Sequence, residues 1–269
     1  MASGAHKKTD LLYVSNEGND VVYVYSWPRT KLVGTLTGFV ETAGECVDNA
    51  GDVWIVNEGE SDILEYAHGG TSPIATLSDP ENFPVDCSID PTTGNLAVTN
   101  IENTRQGQGS VAIYRHAKGT PALYTDSGIY EYYFCGYDDK GNLYFDGKPS
   151  EGGGFQFAEL PHGSKTFTNI TLNQSIGFPG GVRWDGAHVA VGDQDAAVIY
   201  QFAISGSNGT EVGTTPLTGS NDVVGFWIER PKVIGPNAGS ADVMIWKYPA
   251  GGTAIKTLYG QDTPVGATV

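Results

Sequence analysis

Basic residues are scarce in this chain. Lys and Arg total 15 against 31 Asp and Glu in 269 residues, for a formal net charge of -16 at pH 7. A surface of that sign repels phosphate backbones, so no nucleic-acid binding is expected, while cations or basic partners are favoured. The plainest consequence of the charge is solubility. Long apolar runs are missing too: none reaches the roughly 18 residues of a membrane helix, so no membrane span is expected. No long amphipathic helical pattern appears. The first eight residues, MASGAHKK, lack the apolar core of a signal peptide and read as a trimmed mature terminus or a cloning remnant. Chemistry-bearing motifs are equally thin. The chain holds no Walker loop, dinucleotide fingerprint, nucleophile elbow or Ser-His-Asp set.

What the sequence does hold is turns and strands. Gly 37 and Pro 14 accompany Tyr 14, Phe 10 and Trp 5, a composition of short β-strands between tight turns. Six short runs end alike: LLYVSN at Asn16, VWIVN at Asn57, NLAVTN at Asn100, NLYFDG at Gly147, HVAVGD at Asp193 and KVIGPN at Asn237. The steps between these ends are 41, 43, 47, 46 and 44 residues. That period, with strands of about five residues, predicts an all-β six-bladed β-propeller with four-stranded blades. Shorter runs precede each repeat, at GECVD (44–48), DCSID (86–90), FCGYD (134–138), GVRWD (181–185) and GFWIE (225–229), and read as the innermost strands. The first blade lacks one at its start, and PVGATV at the C-terminus matches it. The expected closure is therefore a C-terminal strand completing the N-terminal blade. The expected organisation is a flexible terminus at 1–9 and one propeller domain at 10–269, monomeric. Two long loops are expected, at 101–109 and 205–215.

Segments such as DDKGNLYF (138–145) and DVWIVNEGESDILEY (52–66) resemble NHL repeats, over nearly the whole chain, with the sixth blade degraded. The WD dipeptide that marks another propeller class does not recur here: Trp-Asp occurs once, at Trp184-Asp185. The resemblance implies a six-bladed ring and leaves function open, because such propellers include sensors, scaffolds, RNA binders and a few enzymes. Related lactonase-like enzymes hold a divalent metal near the inner-strand starts. The equivalent column here is Ala43, Val85, Tyr133, Gly180, Val224 and Val265, which is poor in hard oxygen ligands. Lyase-like relatives use His on zinc, but His68, His116 and His162 occupy one turn in three successive blades and cannot converge on one ion. No metal ligand is assigned and no cofactor is expected, although Ca²⁺ stays possible.

Candidate ligand-binding residues come from the inner strands and the face where they begin. The stretch 128–134, GIYEYYF, is aromatic where other blades carry Gly, Pro or Val. Tyr130, Tyr132 and Tyr133 beside Glu45 and Asp86 would form a stacking surface with orienting carboxylates; the alternative is packing between blades. Arg183 and Trp227 would line the same channel. The column Asn16, Asn57, Asn100, Asp193 and Asn237 is a possible polar ring for a cation or sugar, and its repetition fits turn formation better. Cys46, Cys87 and Cys135 fall in successive inner strands and read as small buried apolar residues. Period-two alternation points Cys46 opposite to the other two, so a Cys46–Cys87 bridge is conceivable if the Cα separation permits. The expected function is ligand or protein binding, or scaffolding, at the channel mouth, for a small molecule, glycan or protein. The expected setting is bacterial and extracytoplasmic, secreted or periplasmic. The alternative is a propeller hydrolase or lyase.

Overall fold

Alternating apolar residues flanked by turn formers give strands with two unlike faces, and such strands must bury one face or both. In the computed structural model, which describes residues 10–269, they do so as six sheets in a ring, antiparallel except where Thr171–Leu172 and Gly252–Thr253 join the strand Asn208–Thr218 in parallel. The terminus expected at 1–9 lies outside the described residues. Blade 2 shows the plan most regularly: Thr42–Val47 is innermost, followed outward by Val53–Asn57, Asp62–Tyr66 and Pro73–Ser78. Blades 3 to 6 begin with Asn82–Ile89, Glu131–Tyr137, Pro179–Trp184 and Trp227–Glu229. Blade 1 takes its inner strand from Pro264–Thr268, which pairs antiparallel with Leu11–Asn16. Closure by the C-terminal strand is thus observed, and the blade that would otherwise present an open edge is sealed.

The core lies between blades. Trp54, Val56 and Ile63 of blade 2 pack on Cys87, Val98 and Ala112 of blade 3, and comparable clusters join the other neighbours. Each fully buried large apolar side chain contributes about 1.5–3 kcal/mol relative to exposure. The ring is therefore held by sheet-on-sheet burial rather than by helices. Inner strands approach so closely that blade 2 has no room for a side chain at Gly44. A Cβ on Gly44 would lie 2.5 Å from Asp86 Oδ1 and 2.7 Å from the Val85 carbonyl oxygen.

Pairing between first and second strands slips at the same level in blades 2 to 5, between Thr42 and Glu45, Pro84 and Asp86, Tyr132 and Cys135, and Pro179 and Val182. These bulges re-aim the residues inside them. Below the slips the pairing is regular.

Three expectations change. Cys46 and Cys87 are disulfide-bonded, with a Cα separation of 5.6 Å, while Cys135 stays free and buried. The reading of all three as unpaired apolar residues is corrected. Cys46 faces the following blade and Cys87 the preceding one, as alternation requires, and the close approach of glycine-bearing strands brings them within bonding reach. The two expected long loops are hairpins instead. Strands Leu96–Asn103 and Gly107–Tyr114 run through 101–109, and Val198–Ser205 and Asn208–Thr218 run through 205–215. Polar Thr, Asn and Gly there continue the ladder through backbone pairing, Asn103 with Gly107 and Ser205 with Asn208 at the hairpin ends.

Candidate functional site

The channel is lined by inner strands at five successive registers. The first two hold Ala43 and Gly44 in blade 2, Val85 and Asp86 in blade 3, Tyr133 and Phe134 in blade 4, and line one mouth, here the upper. The last two hold Cys46 and Val47, Ser88 and Ile89, Gly136 and Tyr137, Arg183 and Trp184, and line the lower mouth. Between them, Glu45, Cys87, Cys135 and Phe226 turn from the axis toward the preceding blade.

One ion pair divides the two mouths. Arg183 rises from the lower register and meets Asp86 of the upper one, Nη1 to Oδ2 at 2.9 Å and Nη2 to Oδ1 at 3.1 Å. Arg183 Nη1 also donates to the carbonyl oxygens of Cys135 at 2.7 Å and Val182 at 2.9 Å, and Asp86 Oδ2 accepts the Cys135 amide at 3.1 Å. Both side chains are buried, at 11% and 1% exposure. Burial alone lowers the Arg183 pKa, but Asp86 outweighs it and the net direction is up. A bidentate pair with its remaining lone pairs used is the arrangement in which a buried salt bridge repays its desolvation.

The upper cavity holds about 200 Å³. Its walls are Tyr133, Phe134, Phe178, Ile101, Val85 and Val224, and Asp86 with Arg183 lie at its floor. The rim is polarised. Glu17 of blade 1 and Glu58 of blade 2 stand on one side, each one residue past the Asn column. Burial pushes Glu58 up to about 7, with Glu17 and Glu41 adding repulsion, and Glu17 is raised by the same two kinds of cause. Across the ring, Lys148 Nζ donates to Tyr133 Oη at 2.8 Å and lies 3.2 Å from Glu131 Oε2. Tyr133 Oη donates to Glu131 Oε2 at 2.8 Å. Lys148 also sits 4.2 Å over the Phe178 ring, which meets Tyr133 edge-on. Burial and the Glu131 bond both drive the Tyr133 pKa up.

The lower cavity is larger, about 320 Å³, and is walled by Val47, Ile89, Tyr137, Trp184, Trp227 and Ile228, with the Cys46–Cys87 bridge beside them. The indole Nε1 atoms of Trp184 and Trp227 are buried and have no hydrogen-bond partner among the described residues. Each such donor carries a desolvation cost of about 1–3 kcal/mol.

The predicted site residues therefore do not form one site. Asp86, Tyr133 and Arg183 meet at the upper mouth, and Arg183 and Trp227 share the lower. Tyr130 is peripheral, donating to the Gln106 carbonyl oxygen and to Glu151. Tyr132 does not reach the channel. It is fully buried, stacks on Phe145, and its hydroxyl accepts the Asp126 amide at 2.7 Å, while burial pushes its pKa up to about 12. Glu45 lines neither cavity. It is buried in the interface of blades 1 and 2, and burial drives its pKa well up despite the nearby Ser15 and Thr268 amides. The polar column is occupied by its own turns. Asn57 accepts the Val40 amide and donates to Asp62, Asn237 does the same with Asn221 and Asp242, Asn16 accepts Asp262, and Asp193 accepts Gly177. Asn100 donates to Ser110.

Sequence reasoning missed Glu17, Lys148, Phe178 and Trp184. Glu17, Lys148 and Gln194 each follow a repeat end directly, so that column was the available signal. The three turn histidines stand on the lower face, where the His68, His116 and His162 amides donate to Asp52, Asn95 and Asn142. Among the described residues, Asp48, Asp52 and Glu65 bring carboxylates within 4.8 Å of one another. Asp48 and Asp52 already accept backbone amides of their own turns.

No family model matches the chain, and no curated protein matches it. A solved chain from a nidogen/laminin complex is similar over 96% of this chain and 97% of its own length, with a TM-score of 0.78 at 12% identity. At that identity the likeness concerns the fold: an all-β, six-bladed propeller. Matching solved chains number 1449, so the architecture by itself selects no function.

Proposed function

We propose that the protein is a monomeric, non-enzymatic recognition module that binds a protein partner through the upper channel mouth. The observation that carries this reading is the match of size to chemistry there. About 200 Å³ is below the range of about 300–1,000 Å³ common for small-molecule sites, and suits one inserted side chain. Apolar walls with Glu17 and Glu58 on one rim favour a side chain with an apolar stem and a basic head, Lys or Arg. The net charge of -16 favours the approach of a basic partner at long range. That the similar solved chain belongs to a nidogen/laminin complex supports a protein partner. The bonded Cys46–Cys87 pair supports an oxidising, extracytoplasmic setting, and the NHL-like reading of the repeats supports the recognition role.

The test is a set of otherwise identical short peptides with Lys, Arg, Leu or Glu at the centre, measured by calorimetry. Lys and Arg peptides should bind most tightly, and Glu17→Gln with Glu58→Gln should weaken them about tenfold. Equal binding of the Glu peptide would sink the proposal. The alternative, a channel hydrolase or lyase, is favoured by the Lys148–Tyr133–Glu131 relay. Turnover lost on Tyr133→Phe, or a stoichiometric Ca²⁺ in elemental analysis, would move the reading toward it.

A further inference from the structure

The lower mouth asks for a different occupant, and the reasoning is independent of the upper one. Its roughly 320 Å³ falls within the range of small-molecule sites and equals the space of about ten waters. Trp184 and Trp227 come from successive blades and line it together. Both indole Nε1 atoms are buried with no acceptor among the described residues. Buried donors are almost always paired, so two unpaired ones at one cavity call for acceptors from outside the chain.

Charge narrows the class. A cation brings further donors, which two unpaired N–H groups cannot use. The Arg183 guanidinium at the cavity floor is already matched by Asp86 and by the Cys135 carbonyl oxygen, so it has little left for a new anion. Asp138 and Asp139 on the wall repel an anion, and Asp138 is committed to the Lys140 and Asn142 amides. The aromatic and aliphatic walls favour a flat apolar body.

We infer that the lower mouth is a second ligand site, taking a small neutral planar molecule whose carbonyl-type oxygen or ring nitrogen accepts from the Trp184 and Trp227 indoles. The probe is benzamide, with benzoate and benzylammonium as charged counterparts of similar ring and size. The chain has 5 Trp, so the indole N–H region of a ¹H–¹⁵N spectrum resolves the question residue by residue. Benzamide should shift the Trp184 and Trp227 indole signals saturably and leave those of Trp27, Trp54 and Trp246 in place. Replacing both with Phe keeps the rings and removes the donors, and should weaken benzamide about tenfold, as loss of paired donors does. If that double variant does not fold, Trp184→Phe and Trp227→Phe singly, with the three-probe comparison on the native chain, decide the matter. The inference is overturned if benzamide moves neither signal, or if benzoate or benzylammonium moves them as strongly as benzamide does.

Discussion

The two mouths of the channel are built from opposite ends of the same six strands, and they share one wall, the Arg183–Asp86 pair. The upper end is where strand pairing slips, where small residues let backbones converge, and where charge gathers on the rim. The lower end keeps regular pairing and presents Val47, Ile89, Tyr137, Trp184 and Ile228 at one register, a nearly unbroken apolar ring. A repeat therefore fixes where side chains can enter the channel. The bulge decides whether a given end carries an ordered ring or individually placed groups.

The largest expected effect comes from removing what separates the two ends. Arg183→Met leaves Asp86 buried at 1% exposure with no counter-charge, and should cost about 3–5 kcal/mol in urea unfolding. Adding Asp86→Leu should restore most of that loss, because the isolated charge, rather than the lost pair, carries the penalty. A single variant as stable as the native chain would mean that the wall is not a stabilising element.

The ring was readable because its signals are local and repeated: the 41- to 47-residue steps, the second-strand endings and the inner-strand pattern at the C-terminus. The candidate site was readable only in part. Arg183 and Asp86 lie 97 positions apart in blades 5 and 3, and no spacing rule joins them. Tyr130, Tyr132 and Tyr133 look equivalent in sequence, yet the slip between Tyr132 and Cys135 sends Tyr132 into the core and Tyr133 into the channel. Period-two reasoning holds through the regular lower end, where it oriented the cysteines correctly. It fails at the bulge.

The disulfide tests the lower mouth alone. Replacing Cys46 and Cys87 with Ser should cost about 2–4 kcal/mol, since the bond closes a loop with a sequence separation of 41. The same variant should weaken benzamide and leave a Lys-centred peptide unaffected. Thiol titration of the unreduced, unfolded chain should find one thiol, from Cys135, and reduction should raise this to all 3 cysteines. Three thiols without reductant would remove the bond from the structure.

The smallest effect is the most selective, because it belongs to the upper rim. Glu58 has a folded-state pKa of about 7 against an ordinary 4.5. The folded protein thus holds this proton more tightly than the unfolded chain does, and the associated stability is complete below about pH 4.5 and lost as pH rises toward 7. The shift corresponds to about 3 kcal/mol as an upper bound, reduced toward about 1 kcal/mol by screening at the open rim. Glu58→Gln should flatten this part of the pH–stability curve. Binding should run the other way: a Lys-centred peptide should tighten between pH 6 and 8 by a few-fold, as Glu58 gains its charge, whereas benzamide at the lower mouth should not respond. A benzamide affinity that followed the same curve would show that protonation at the rim is felt through the Arg183–Asp86 wall, and that the two ends act as one site.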